Sequence, residues 1–503
     1  MSNYLFDTLT AFVPDLDKVF LKTPDEFALS YRDMFARSAQ YAGALQKIGI
    51  KPGDRVAVQV EKTPEALMLY FATLRAGAVF VPLNPAYTVA EITTFIGDAE
   101  PAVFVCDPSR ADALAGAAQK EGAKLHTLDG AGEGSLSAAA DQMPTEYENR
   151  PREADDLAAI LYTSGTTGRS KGAMLSHENL ASNAQTTSKY WRFTEDDVLL
   201  HVLPIFHAHG LFVATHSLMI AGGSLLFLGK FDLEHVIEQL PTATAMMGVP
   251  TFYTRMLADE RFTKTLAAHM RVFISGSAPL SAEVHNAFSD RTGQAILERY
   301  GMTETSMITS NPYEGERRPG TVGFPLPGVG VRIVDERTGR EVPQGGVGIV
   351  EVKGPNVFQG YWRMFEKTAQ EFRTDGYFIT GDMARVDEDG YISIVGRAKD
   401  LIISGGFNVY PAEVEAVLDN LPEIAESAVI GTPHPDFGEG VVAVIALKPG
   451  LSLNEDTIFS ALRDRLAKFK QPKKLHVVEA LPRNTMGKIQ KKTLRDRYWN
   501  EFS

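Results

Sequence analysis

Short apolar runs rich in β-branched residues recur up to about residue 396 of this chain, among them VAVQV at 56–60, VFVCD at 103–107 and AAILYT at 158–163. Each is followed by a turn or a helical pattern. Strands alternating with helices define an α/β layer architecture. At 503 residues the chain exceeds what one hydrophobic core can serve, so a large domain plus at least one more is expected. The segment 391–411, YISIVGRAKDLIISGGFNVYP, reads as strand, charged turn, strand and Gly-rich turn. Pro411 then opens a helix with Val414, Val417, Leu418 and Leu421 on one face. We therefore expect a large, multi-subdomain α/β domain over 1–396, a hinge at 397–400, and a small mobile α+β domain over 401–503.

Hydrophobic residues make up 44% and charged residues 22%, the usage of an ordinary folded protein. The net charge of -13 argues against nucleic acid as a general partner, which would need clustered Lys and Arg. Arg463 to Arg497 departs from that balance, with twelve Lys/Arg against three Asp/Glu, so this tail presents positive charge to solvent or to an anion. Cys106 is the one cysteine, which excludes an intrachain disulfide or a Cys-cluster zinc site and suits a reducing compartment. The first twenty residues fit neither a secretory signal nor a transit peptide. Leu211 to Leu228 is apolar for long enough to suggest a membrane span, but it holds His216 and breaks at Gly222-Gly223. We read it as a buried helix, a turn and a buried strand, and expect a cytoplasmic protein without a membrane partner.

Directly after the apolar run Leu157 to Tyr162 comes Thr163-Ser-Gly-Thr-Thr-Gly-Arg-Ser-Lys-Gly172. Such a loop exposes backbone N–H groups and hydroxyls and adds Lys171 as a mobile cation, which suits a polyphosphate. It is not a Walker A loop, because Lys171 is followed by glycine and the glycine spacing differs.

This block resembles the phosphate loop of the acyl-adenylate-forming superfamily, which contains acyl-CoA synthetases, peptide-synthetase adenylation domains and luciferases. Tyr300-Gly-Met-Thr-Glu304, Tyr377-Phe-Ile-Thr-Gly-Asp382, Gly396-Arg-Ala-Lys-Asp400, Gly405-Gly-Phe-Asn408 and Pro482-Arg-Asn-Thr-Met-Gly-Lys488 resemble further motifs of that family, in its order. The resemblance implies a large and a small domain with the active site between them, ATP and coenzyme A as co-substrates, and Mg²⁺ as cofactor. By it, Thr163, Ser164, Gly165, Thr166, Thr167, Gly168 and Lys171 close over the β- and γ-phosphates, with Thr303 nearby. Glu304 helps hold Mg²⁺, for which a carboxylate is a suitable hard ligand. Tyr300 lies against adenine, while Asp382 and Arg397 contact the ribose. Lys488 bridges the acyl carboxylate and the α-phosphate, where a fixed ammonium stabilises the charge that builds in the transition state. Acetylation would delete that charge, which makes a lysine acetyltransferase a candidate partner. Lys399 takes the hinge position, and Gly405, Gly406 and Phe407 come to line the pantetheine tunnel after the small domain rotates.

For the acid, the arginine before the adenine-facing tyrosine stands where many relatives carry a neutral residue. Arg299, with Ser277 in Ser275-Gly-Ser-Ala-Pro279 and His207 in Pro204-Ile-Phe-His-Ala-His209, resembles the malonyl-CoA synthetase group, in which this trio binds the distal carboxylate of malonate or methylmalonate. A planar guanidinium suits that task. Arg299 could instead pair with Glu298 or another carboxylate and face away, and by the resemblance His207 could also gate the thiol tunnel. Ala208 and Met307 would sit near the α-carbon of the acid, and the small Ala208 leaves room for a methyl branch. His201, His209 and His216 match no metal spacing and are read as structural. The competing readings are a medium-chain or aryl monocarboxylate-CoA ligase and, from another class, a luciferase-type oxygenase. A peptide-synthetase domain would carry an aspartate where Phe206-His207-Ala208 stands.

Overall fold

A computed structural model describes residues 2–13, 15–163, 170–452, 455–484 and 487–502. Among the described residues the strands form four sheets. Two of them, of nine and seven strands, are mainly parallel and lie in the N-terminal part. Their central strands, such as Arg55–Gln59, Val103–Cys106 and Val272–Ser275, are buried at almost every position. Continuous apolar runs are what a parallel strand covered on both faces requires. Leu5, Tyr31, Leu67, Phe71, Leu199, Leu218 and Ile274 belong to one apolar core that joins elements of both large sheets. A third, antiparallel sheet is built from Gly330–Val334, Gly348–Lys353, Phe378–Val386 and Ile392–Arg397.

The smaller C-terminal domain has its own sheet, from Ile402–Ser404, Phe407–Val409, Ile424–His434, Gly438–Leu447 and Lys474–Val478. The helix Pro411–Asp419 covers it through Val414 and Leu418, both fully buried, with Val417 and Leu421 packed beside them. Proline at the first helical position fits there because its missing N–H would be unpaired in any case. The chain passes between the domains through a short 3₁₀ turn, Ala398–Asp400. Ala398, Leu401 and Tyr410 pack on Val334, Ile349, Met383 and Val395 of the third sheet. Arg495 Nη1 holds Asp400 Oδ1 at 2.7 Å, and Lys448 Nζ reaches across the domain boundary to Glu283 Oε1 at 3.2 Å.

The stretch read as buried helix, turn and strand is a π-helical segment His209–Ala214, the helix Thr215–Ile220 and the strand Ser224–Phe227. Among the described residues no helix is long and apolar enough to cross a membrane.

Candidate active site

The strand Leu297–Met302 organises the site. It runs parallel to Val272–Ser275 on one side and antiparallel to Ser306–Ser310 on the other. Successive side chains alternate between its faces. Glu298 and Arg299 therefore part company, and no ion pair joins them. Glu298 accepts the Leu280 N–H at 3.0 Å, tethering the loop that carries Ser277. Burial pushes its carboxyl up to about 8. Arg299 turns to the opposite face and lines a cavity of about 1720 Å³. It is 3% exposed, its Nε and Nη2 have no hydrogen-bond partner, and burial lowers its pKa to about 9.

The guanidinium lies directly against the backbone of Gly276, where an added Cβ would fall 2.3 Å from Cζ. Beside it, Ser277 adopts φ 70°, a left-handed conformation that few serines take. The Ser277 hydroxyl is 3.1 Å from His209 Nδ1. His209 Nε2 is buried without a partner, and His209 lines the same cavity. His209, expected from the sequence to be structural, thus faces the cavity beside Ser277. The other two do serve the framework: His201 lies between Lys62 Nζ at 2.9 Å and the Gly210 carbonyl at 2.9 Å, and His216 meets the Tyr70 hydroxyl at 2.8 Å. His207, Ala208 and Met307 line the cavity too. Burial first, and the Lys488 charge second, hold the His207 ring down to about 3, so it is neutral at ordinary pH.

At the other end of the cavity the strands Leu157–Thr163 and Lys171–Ser176 form an antiparallel pair. Ser164, Gly165, Thr166, Thr167 and Gly168 lie outside the described residues. Thr163 Oγ1 is 3.4 Å from Glu304 Oε1. Glu304 is 4% exposed, accepts from the Tyr361 hydroxyl at 3.0 Å, and has its pKa raised by burial. Lys171 Nζ is 3.3 Å from Glu371 Oε1 and 4.1 Å from the centroid of the Tyr361 ring. Sequence reading missed Tyr361 and Glu371. Glu371 stands 200 positions from Lys171, and no local spacing signals the pair.

Thr303, Thr380, Gly381 and Arg397 complete the wall on the N-terminal side. Tyr300 and Asp382 are neighbours of that wall and do not line the cavity. The Tyr300 hydroxyl donates to Asp382 Oδ2 at 2.5 Å, and Arg397 Nε approaches Oδ1 at 3.2 Å. From the small domain come Arg483, Asn484 and Lys488. Lys488 lines the same cleft, with an exposed side chain that faces the open space of the cavity. Desolvation within the cleft, reinforced by Arg397, lowers its pKa despite the nearby Asp382 and Glu304 carboxylates. Gly405, Gly406 and Phe407 are elsewhere, on an exposed hairpin of the small domain. Lys399 lies in the linking 3₁₀ turn.

The cavity thus brings Thr163, Lys171, a buried carboxylate and a cation from a second domain into one space with a guanidinium that has no carboxylate partner. Residues 11–362 match the AMP-binding enzyme family and residues 413–488 match the C-terminal domain of AMP-binding enzymes. The chain belongs to that family. Over its whole length it is 55% identical to MatB from Rhodopseudomonas palustris, covering all of both chains, with TM-scores of 0.98 to the ATP-bound form and 0.88 to the apo form. A feruloyl-CoA synthase from an Amycolatopsis species is 37% identical over 94% of each chain. A malonate–CoA ligase from Arabidopsis thaliana is 34% identical over 99% of this chain and 85% of its own. The chain is an acid–thiol ligase that uses ATP and coenzyme A.

Proposed function

We propose that the chain ligates malonate, with methylmalonate as a second acid, to coenzyme A through an acyl-adenylate, releasing AMP and pyrophosphate. The observation that carries this reading is the Arg299 guanidinium: buried, facing the cavity, and without a carboxylate of its own. Burying a charge without a partner is costly, so a ligand that brings an anion is strongly favoured there over one that does not. Malonate brings a distal carboxylate, to which Ser277, His207 and His209 add hydrogen-bonding groups. Ala208 and Met307 border the α-carbon, where the short Ala208 side chain admits a methyl.

In this reading the proximal carboxylate of the acid attacks the α-phosphorus of ATP and pyrophosphate departs. Lys488 binds the oxygens on which negative charge accumulates. Thr163, the loop 164–168, Lys171 and Thr303 hold the phosphates, Tyr300 faces adenine, and Asp382 with Arg397 binds the ribose. Asp382 must trade its bonds to Tyr300 and Arg397 for the ribose hydroxyls. Glu304 fits a role in holding Mg²⁺, since it is a buried carboxylate with a threonine hydroxyl beside it. Among the described residues no three His, Cys, Asp or Glu side chains group to hold a metal alone, so phosphate oxygens and water would complete the shell, the usual arrangement for this ion. When bound it would neutralise charge on the triphosphate. The small domain, from residue 401, then rotates about the hinge 397–400 at Lys399 and brings Gly405, Gly406 and Phe407 to the thiol, which attacks the acyl carbonyl and displaces AMP. Nothing supports the acetyltransferase considered for Lys488.

The likeness to a feruloyl-CoA synthase favours an aryl acid as the second reading. The test is kcat/KM for malonate, butyrate and ferulate in wild type and Arg299→Ala. Malonate should be the preferred acid and should fall by about 30-fold to several thousandfold in the variant, the cost of removing one member of a buried charge pair. Butyrate should hold steady or rise. A uniform fall for malonate and butyrate, or preference for ferulate in wild type, would reject malonate.

A further inference from the structure

We propose that Glu371 is a positioning residue that holds the Lys171 ammonium between turnovers and competes for it with phosphate anions, so that it weakens pyrophosphate binding and speeds pyrophosphate release. This rests on reading the cleft as an ATP site. Lys171 begins the strand Lys171–Ser176, so its backbone is fixed and only its four-carbon stem can swing. Its side chain is 11% exposed. An ammonium so enclosed needs an anion when no ligand is present, and Glu371 Oε1 at 3.3 Å supplies it.

Glu371 ends the helix Phe365–Glu371 and has partners besides Lys171. Lys367, one turn earlier, approaches the same oxygen at 2.7 Å, and the Tyr361 hydroxyl, whose single proton is shared with Glu304 Oε1 at 3.0 Å, lies 2.8 Å from Oε2. Burial pushes its carboxyl up, but Lys367, Tyr361 and Lys171 outweigh it and keep the group ionised. When a polyphosphate draws Lys171 away, Glu371 therefore keeps Lys367 and Tyr361. The exchange costs one contact and leaves no orphaned charge. In the reverse direction the carboxylate waits beside the lysine and recaptures it as pyrophosphate leaves. A flexible ammonium suits such a handover better than a planar guanidinium would.

The experiment is calorimetric titration of the full chain with pyrophosphate in Mg²⁺, for wild type, Glu371→Gln, Glu371→Asp, Lys171→Met and the Lys171→Met/Glu371→Gln double variant. Glu371→Gln should tighten pyrophosphate by about 5- to 20-fold, the range of a partly buried charge contact. Glu371→Asp, charged but one methylene short, should fall between. In the Lys171→Met background the same Glu371→Gln change should do nothing, which a merely structural role would not produce. Unchanged or weaker binding in Glu371→Gln, or equal tightening in both backgrounds, overturns the proposal. If wild type binds no pyrophosphate or ATP, the ATP-site reading itself falls and takes this proposal with it.

Discussion

Gly276 shows how much of the proposed acid site can rest on an atom that is missing. Its hydrogen side leaves space for the Arg299 guanidinium, and an alanine there would put Cβ within 2.3 Å of Cζ and Nη1. The guanidinium is the far end of a flexible side chain, so it would yield and the backbone would not. Gly276→Ala should therefore leave the denaturation midpoint nearly unchanged and ATP affinity intact. It should lower kcat/KM for malonate by about 10- to 100-fold, because an ångström of misplacement at a reacting or binding group costs on that order. A malonate rate within twofold of wild type would mean that the arginine does not hold the acid. Arg299, Ser277 and His207 could be picked from the sequence because each sits beside a recognisable motif. Gly276 could not, since one glycine among forty-three signals nothing until its neighbour's guanidinium is seen against it.

At the scale of elements, the strand Leu297–Met302 divides its labour by face, with Arg299 to the cavity and Glu298 to the loop that bears Ser277. That division has a pH signature. Glu298 keeps its proton to about 8 when folded, whereas an unfolded glutamate ionises near about 4.3. Its protonation therefore favours the folded state fully below the lower value. The contribution declines as pH rises through the window and is gone above the upper one. Glu298→Gln lacks this dependence, so the stability of the variant relative to wild type should rise between pH 5 and pH 8, by up to about 1.4 kcal/mol per pH unit. Urea denaturation at a series of pH values reads it directly, and a flat difference would show that Glu298 is ionised in the fold.

The strands were legible because their apolar runs are short and unbroken, as VFVC at 103–106 is. The helix Pro411–Asp419 was legible from its proline and its 3.6-residue apolar period. The π-helical His209–Ala214 was not. Its start is fixed by Gly210 packed so tightly on the Pro204 carbonyl that a Cβ would lie 2.1 Å away, a tertiary contact without a local signal. His209 was misjudged for the same reason, as only the packed segment aims it at Ser277. Tyr361 and Glu371 escaped because long-range contacts alone bring them to Lys171 and Glu304.

At the scale of the whole molecule both domains contribute residues to the cleft. Lys488 enters the cleft from the small domain, so Lys488→Ala should slow adenylation by about 100-fold or more and spare thiol transfer from preformed acyl-adenylate. Lys399 lies in the linking turn, away from the cavity wall. Lys399→Pro, which restricts φ there, should impair thiol transfer more than adenylation. Separate assays of pyrophosphate exchange and of thioester formation distinguish them, and equal losses in both steps for both variants would argue against a moving domain.

One wall of the cleft is thus on loan from a domain tied on by a short turn, a small apolar contact through Leu401 and Tyr410, and surface pairs such as Lys448 with Glu283. On the proposed mechanism, a mixed anhydride formed behind that wall is an energy-rich compound kept from water by a door, and the door opens before the product forms. On that reading the fidelity of the catalyst is set by how briefly it stands ajar, and every delay between opening and thiol attack is read out as ATP spent with no thioester to show for it.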